Sequence, residues 1–137
     1  MASCVREGDS TILLDCLKRA GFTVLTLDGK VVFDGPSFFA EAIRMLPLDP
    51  PLSGNVNWDV FSDSLWGGID QLGLKQIAIV WRRAENMVQA DLLEFLLAFD
   101  CLKNMASTID HSREVKFTIK VLPFLTGEGT SFKPFWF

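Results

Sequence analysis

The sequence predicts a mixed α/β protein built on a small, three-stranded, mostly parallel sheet with helices packed around it. Three observations carry that prediction. The run Gln76-Ile77-Ala78-Ile79-Val80-Trp81 is apolar almost throughout, as a central strand covered on both faces must be. Two further runs, at 22–27 and 115–122, alternate in polarity and are rich in β-branched residues. Helical patterns separate the runs, so successive strands need crossover connections, which set them parallel.

The elements follow in order. Residues 9–20 place Ile12, Leu13, Cys16 and Leu17 at helical spacing, with Asp9 or Ser10 as N-cap and Lys18, Arg19 and Gly21 at the exit. The strand at 22–27 leads into Asp28-Gly29, a turn dipeptide after which 30–33 is read as a short hairpin arm. Gly35-Pro36-Ser37 opens a helix through Met45, with Phe38, Phe39, Ala42, Ile43 and Leu46 facing inward. Three prolines and a glycine then restrict the loop 47–55. Asn57 is an N-cap for a helix from Trp58 to about Trp66, closed by Gly67-Gly68. On a helical wheel Trp58, Phe61 and Leu65 form the buried stripe, while Asp59, Asp63 and Trp66 share the flank beside it. After the central strand, one long helix over 86–105 carries Leu92, Leu93, Leu96, Phe99 and Leu102 as its apolar positions. Trp58, Phe61, Leu65, Ile77, Ile79 and Phe99 are expected in the core. The aromatic terminus Phe132-Lys133-Pro134-Phe135-Trp136-Phe137 must be covered, either by the chain's own sheet or by a dimer contact.

Composition bounds the function. A chain of 137 residues, 49% hydrophobic and 22% charged, fits one domain spanning 1–137 with a substantial core. The amino terminus has no apolar signal segment and no run is long enough to span a bilayer, which points to a cytoplasmic protein without a membrane partner. Three widely spaced cysteines, Cys4, Cys16 and Cys101, suit free thiols. Between Met45 and Leu74 there is no Lys or Arg, yet Asp49, Asp59, Asp63 and Asp70 all fall inside. The whole chain has 17 acidic and 13 basic residues, so these four carry its net charge of −4. That asymmetry opposes nucleic-acid binding and favours a cationic partner, although a solvated acidic face would have the same composition.

Catalytic patterns are lacking. His111 is the only histidine and stands in the polar stretch 107–114 without metal-ligand spacing. No serine sits in a nucleophile elbow, and Gly127-Glu128-Gly129 is not followed by a phosphate-loop lysine. Glu85, Glu94 and Asp100 have no spacing that selects them for acid–base work. The expectation is a protein with no enzymatic activity, no metal and no cofactor. The pair Asp59 and Asp63 reads better as a binding device. Like charges at i and i+4 cost a helix roughly 0.2–0.5 kcal/mol, and arginines of a partner would relieve that repulsion with charge-assisted bonds.

The order strand, Asp-Gly turn, helix, Pro/Gly loop and N-W-D-x-x-x-D-x-L (Asn57, Trp58, Asp59, Asp63, Leu65), then an apolar strand ending Trp81-Arg82, a helix and a last strand, resembles the barstar family of ribonuclease inhibitors. The resemblance covers about 22–122 and leaves 1–21 and 123–137 outside. It implies a barstar-like fold and a loop and helix that plug a nuclease active site, with Asp63 entering the phosphate pocket and Asp59 supporting it. Gly54, Asn55, Asn57, Ser62 and Trp66 would complete the contact. The implied partner is a basic extracellular-type ribonuclease or nuclease toxin, met by a monomer or weak dimer. A regulatory or scaffold module of the same fold without a nuclease target is the alternative. The chain has no tyrosine and places two residues between Gly54 and Asn57 where the family usually has one, so its loop takes another shape.

Overall fold

The computed structural model describes residues 3–111, 118–129 and 132. Four strands, β1 (Ser3–Arg6), β2 (Thr23–Asp28), β3 (Gln76–Arg82) and β4 (Lys120–Gly127), form one sheet in the order β1-β4-β3-β2. Every pairing is parallel: Thr23 to Asp28 face Ile77 to Arg82, Gln76 to Trp81 face Lys120 to Leu125, and Ser3 to Arg6 face Phe124 to Gly127. Five helices connect or follow the strands: α1 (Ser10–Arg19), α2 (Gly35–Met45), α3 (Trp58–Gln71), α4 (Glu85–Ala90) and α5 (Leu92–His111). The step from β1 to β2 crosses the sheet in the direction opposite to the steps β2 to β3 and β3 to β4. Right-handed crossovers therefore put α1 on one face and the helices of the later connections on the other.

Strand alternation serves both faces. Leu27, Ile77, Ile79 and Trp81 meet Phe38 and Ala42 of α2, Phe61, Leu65 and Ile69 of α3, and Phe95, Ala98 and Leu102 of α5. Ala78 and Val80 point the other way, onto Val5 and onto Leu13 and Leu17 of α1. The larger core is aromatic at its centre, where the Phe38 ring lies 5.3 Å from Phe61 and 5.1 Å from Trp81, edge-on or tilted as ring quadrupoles prefer.

The parallel α/β sheet is as expected, with four strands in place of three. The added strand, β1, is short and polar outside Val5, and so carries no pattern to read. The last strand begins later and runs past Pro123. Proline is tolerated there because, among the described residues, β1 pairs back only to Phe124 and none pairs with Pro123 on that side. Of the expected strand 115–122, residues 115–117 lie outside the described residues. The expected hairpin arm is instead a 3-10 turn, Gly29–Val31. Asp28 caps it by accepting the Lys30 N–H at 3.0 Å, and the Asn86 amide donates to the Gly29 and Val32 carbonyls at 3.0 Å each. The long helix is two helices, because Asp91 leaves helical geometry and its carboxylate accepts the Glu94 N–H at 3.2 Å, capping α5 afresh. The restart rotates the apolar face: Phe95, Ala98, Leu102, Met105 and Ile109 are buried, Leu92, Leu93 and Leu96 are exposed, and Phe99 is only half-buried. Trp58 is also half-buried and Ile43 is exposed, whereas Phe61, Leu65, Ile77 and Ile79 are fully buried. α5 runs through His111 instead of ending at Met105, and the His111 side chain lies outside the described residues. So do the terminal aromatics beyond Phe132, whose own ring is buried against Gly127.

One buried carboxylate ties the amino-terminal segment to the carboxyl ends of the strands. Glu7 is 7% exposed, with Oε2 accepting from Arg82 Nη2 at 3.0 Å and Oε1 accepting from the Arg83 N–H at 2.9 Å and from Thr126 Oγ1 at 2.6 Å. Burial pushes its pKa up, but the bonds from Thr126, the Arg83 N–H and Arg82, with the Arg82 charge, outweigh burial and hold it below the ordinary 4.5. A lowered folded-state pKa contributes stability that is complete above about 4.5 and is lost as pH falls through the folded value. Glu7→Gln should lower stability at pH 7, and the gap to the wild-type chain should narrow as pH drops from about 5 towards 3. Urea unfolding at a series of pH values checks this; a gap that stays constant with pH would show that the Glu7 charge is not what holds the segment.

Candidate functional site

The acidic surface is organised by a backbone contact. The loop 47–57 arrives from α2 and passes over α3 at Gly67 and Gly68, which lie inside the helix and do not end it. A Cβ on Gly68 would stand 2.0 Å from the Pro47 carbonyl oxygen, and one on Gly67 would stand 2.3 Å from that of Asp49. The helix continues to Gln71, and Gly73, at φ 69°, turns the chain away. With the two chains this close, the Asp49 N–H donates to the Ser64 carbonyl at 2.9 Å and the Ser64 hydroxyl donates to the Pro50 carbonyl. The Asp49-Pro50 peptide is cis. Leu52 and Val56 pack half-buried on the core and pin the outer part of the loop.

From that seat the chain enters α3. Gly54 adopts φ 68°, a left-handed conformation that glycine takes without strain. Asn57 caps the helix by accepting the Val60 N–H at 2.8 Å. Asp59 and Asp63 follow one turn apart, both exposed, and among the described residues neither has a cation within ion-pair distance. Asp59 lies in the first turn, where the helix dipole offsets part of the mutual repulsion. Ser62 is half-buried and bonds the Cys101 thiol beneath the helix. Burial above all pushes that thiol's pKa up; the Ser62 bond pulls it down, and the charges of Asp100 and Asp59 raise it further. Trp66 is half-buried against the core on the same helix.

Gly54, Asn55 and Asn57 line an open groove of about 590 Å³ between the loop and α2. Its other wall includes Phe39, exposed Ile43 and, from α5, Glu94. Glu94 accepts the Trp58 indole N–H at 2.8 Å, which fixes the first residue of α3 against α5. Glu94 and Ile43 were not recognisable as site residues, since both reach the groove only through tertiary packing. The structure thus gathers Gly54, Asn55 and Asn57 at the groove and displays Asp59 and Asp63 on the adjoining helix. Ser62 and Trp66 lie partly beneath that surface and expose less of themselves to a partner. Among the described residues no three His, Cys, Asp or Glu side chains are grouped to hold a metal ion, and no helix is long and apolar enough to cross a membrane.

Compared with known families, residues 22–121 match the family described as Barstar (barnase inhibitor). The match begins just ahead of β2 and ends inside β4, so it takes in the loop, α3 and the groove. No curated protein and no solved structure gives a significant match.

The seat of the loop is testable in isolation. Alanine normally gains about 1 kcal/mol over glycine inside a helix. Gly68→Ala should instead destabilise the protein by about 1–3 kcal/mol, because its Cβ cannot coexist with the Pro47 carbonyl. Gly8→Ala, which would meet nothing within 4 Å, should shift stability by less than about 0.5 kcal/mol. Urea unfolding of the two variants checks the contrast; a stabilised Gly68→Ala would contradict the contact.

Proposed function

The chain belongs to the barstar family, and on that premise we propose that it is an intracellular, non-catalytic inhibitor that binds and blocks a basic ribonuclease or related nuclease toxin through residues 52–66. The observation that carries this reading is the exposed pair Asp59 and Asp63, held on a capped helix within a segment free of lysine and arginine. A ribonuclease site built for phosphates presents clustered cations, and two fixed carboxylates offer those cations charge-assisted and bidentate bonds. The pair needs no rearrangement to do so, because Asn57 and the Gly67-Gly68 seat already order the loop and the start of α3. Preorganisation of this kind saves the entropy of fixing a loop on binding. Asp63 is the principal anchor and Asp59 its support. Gly54, Asn55 and Asn57 lie at the groove, whose apolar Ile43 and Phe39 wall accepts a projecting side chain of the nuclease. The chain acts by occupying the enzyme's substrate site and has no chemistry of its own.

The test is affinity capture of a basic ribonuclease from the same organism, with wild-type protein against Asp63→Ala. Truncating one member of a desolvated charge pair costs about 2–5 kcal/mol, so the variant should bind at least about tenfold more weakly. Asp63 is exposed and makes no bond to another side chain among the described residues, so the variant should unfold at the wild-type urea concentration. Equal binding by both forms would remove Asp63 from the interface and favour a regulatory module that uses another surface. No capture of any nuclease would contradict the inhibitor reading itself.

A further inference from the structure

A second cavity, about 240 Å³, opens at the carboxyl ends of β2 and β3, away from the acidic helix. Six of its lining residues are charged: Lys30, Arg44, Arg82 and Arg83 against Asp28 and Glu41. Within a chain of net charge −4, this is a pocket with an excess of two positive charges. Its carboxylates are engaged by the protein. Glu41, 3% exposed, accepts the Asp28 N–H at 2.7 Å and takes a two-pronged contact from Arg44, at 3.0 and 3.1 Å. Asp28 caps the following turn through the Lys30 N–H. Arg82 is held by Glu7 and by the Ser10 hydroxyl at 3.2 Å. These bonds aim two guanidinium groups without exhausting their donors, since arginine carries five.

The other two cations are uncommitted. Among the described residues no carboxylate lies within 4.0 Å of the Lys30 ammonium or the Arg83 guanidinium. Arg83 is also the one non-glycine described residue at positive φ, 51°, a conformation that costs energy unless its surroundings impose it. What imposes it is visible: the Glu7 carboxylate accepts the Arg83 N–H, and Gly29 presses on the Arg82 and Arg83 carbonyls, where a Cβ would come within 2.1 and 2.3 Å. The buried clamp thus turns the Arg83 backbone at the strand end beside the cavity.

From this arrangement we propose that the cavity binds a small phosphate-bearing anion of pyrophosphate size, either free or as the diphosphate of a nucleotide. Lys30 and Arg83 contact the phosphate oxygens, and Arg44 and Arg82 flank them. The proposal is independent of the inhibitor reading, because no residue of 52–66 lines the cavity.

Isothermal titration of the full chain with pyrophosphate, at constant ionic strength, tests it. Saturable binding with a dissociation constant below about 1 mM is expected, and Lys30→Gln with Arg83→Gln should weaken it at least about tenfold. Lys30→Gln alone, at an exposed side chain, should weaken it measurably and guards against misfolding of the double variant. Tighter binding of adenosine or uridine diphosphate than of pyrophosphate would identify a nucleotide as the source; equal or weaker binding would identify the free anion. Either outcome supports the site. Absence of saturable binding by all three probes, displacement by sulfate at equal concentration, or unchanged affinity in the double variant would overturn it.

Discussion

The backbone of the segment 47–50 lies directly on the backbone of α3, and nothing larger than a hydrogen atom fits between them at Gly67 and Gly68. Most of the candidate interface depends on this contact. Because the chains touch, Asp49 and Pro50 can exchange hydrogen bonds with Ser64. With its first part fixed, the loop delivers Asn57 to the position where it caps α3, and the cap sets the direction in which Asp59 and Asp63 emerge. A repulsive carboxylate pair would favour fraying in a helix with a free amino end. Here that end is capped by Asn57, anchored through the Trp58 indole to Glu94, and packed at a tilt against Phe39, whose ring centre lies 4.4 Å from that of Trp58. The charge sits on the outside of a segment whose inside is fully engaged.

A second constraint operates at the other end of the sheet. The family match spans 22–121, yet Ser3–Arg6 pairs with Phe124 to Gly127, and Glu7 clamps Arg82, Arg83 and Thr126. The flanking segments are structural parts of the sheet. α1 supplies Leu13 and Leu17 to the face that the other helices leave uncovered. Burying Glu7 is tolerated only because its two oxygens are satisfied by four bonds from three residues, two of the bonds coming from the Arg82 guanidinium. The twisted Arg83 backbone and the basic cavity follow from that clamp. The molecule therefore carries an excess of carboxylates on α3 and its loop and an excess of cations at the carboxyl ends of β2 and β3.

What the sequence revealed followed physical range. β3 was legible because burial on both faces requires an apolar run, and α3 was legible at its start because an N-cap and a 3.6-residue stripe are local signals. The flank carrying Asp59 and Asp63 could be placed on a wheel for the same reason. Gly67-Gly68 has the local signature of a helix stop because glycine has two uses, a left-handed turn and a close approach, and only the position of Pro47 decides between them. Asp91 hid a helix start inside a long apolar pattern, which shifted the assumed face of α5 onto Leu92, Leu93 and Leu96. Glu94 and Ile43 join the groove across more than thirty and more than ten residues of chain from Trp58, beyond the reach of any periodicity. The Glu7 clamp, between residues 75 and 119 apart, had no local signature at all.

The central claim is that a preformed acidic surface meets a cationic one. Long-range attraction of that kind acts before contact and is screened over about 10 Å at 0.1 M salt. The most direct measurement is the association rate of this chain with a captured basic ribonuclease, followed by stopped flow from about 25 to 400 mM sodium chloride. The account predicts an association rate that falls by about tenfold or more across the series, while the dissociation rate changes little. An association rate independent of salt would contradict it, because recognition would then rest on apolar contact and the carboxylates of α3 would be bystanders.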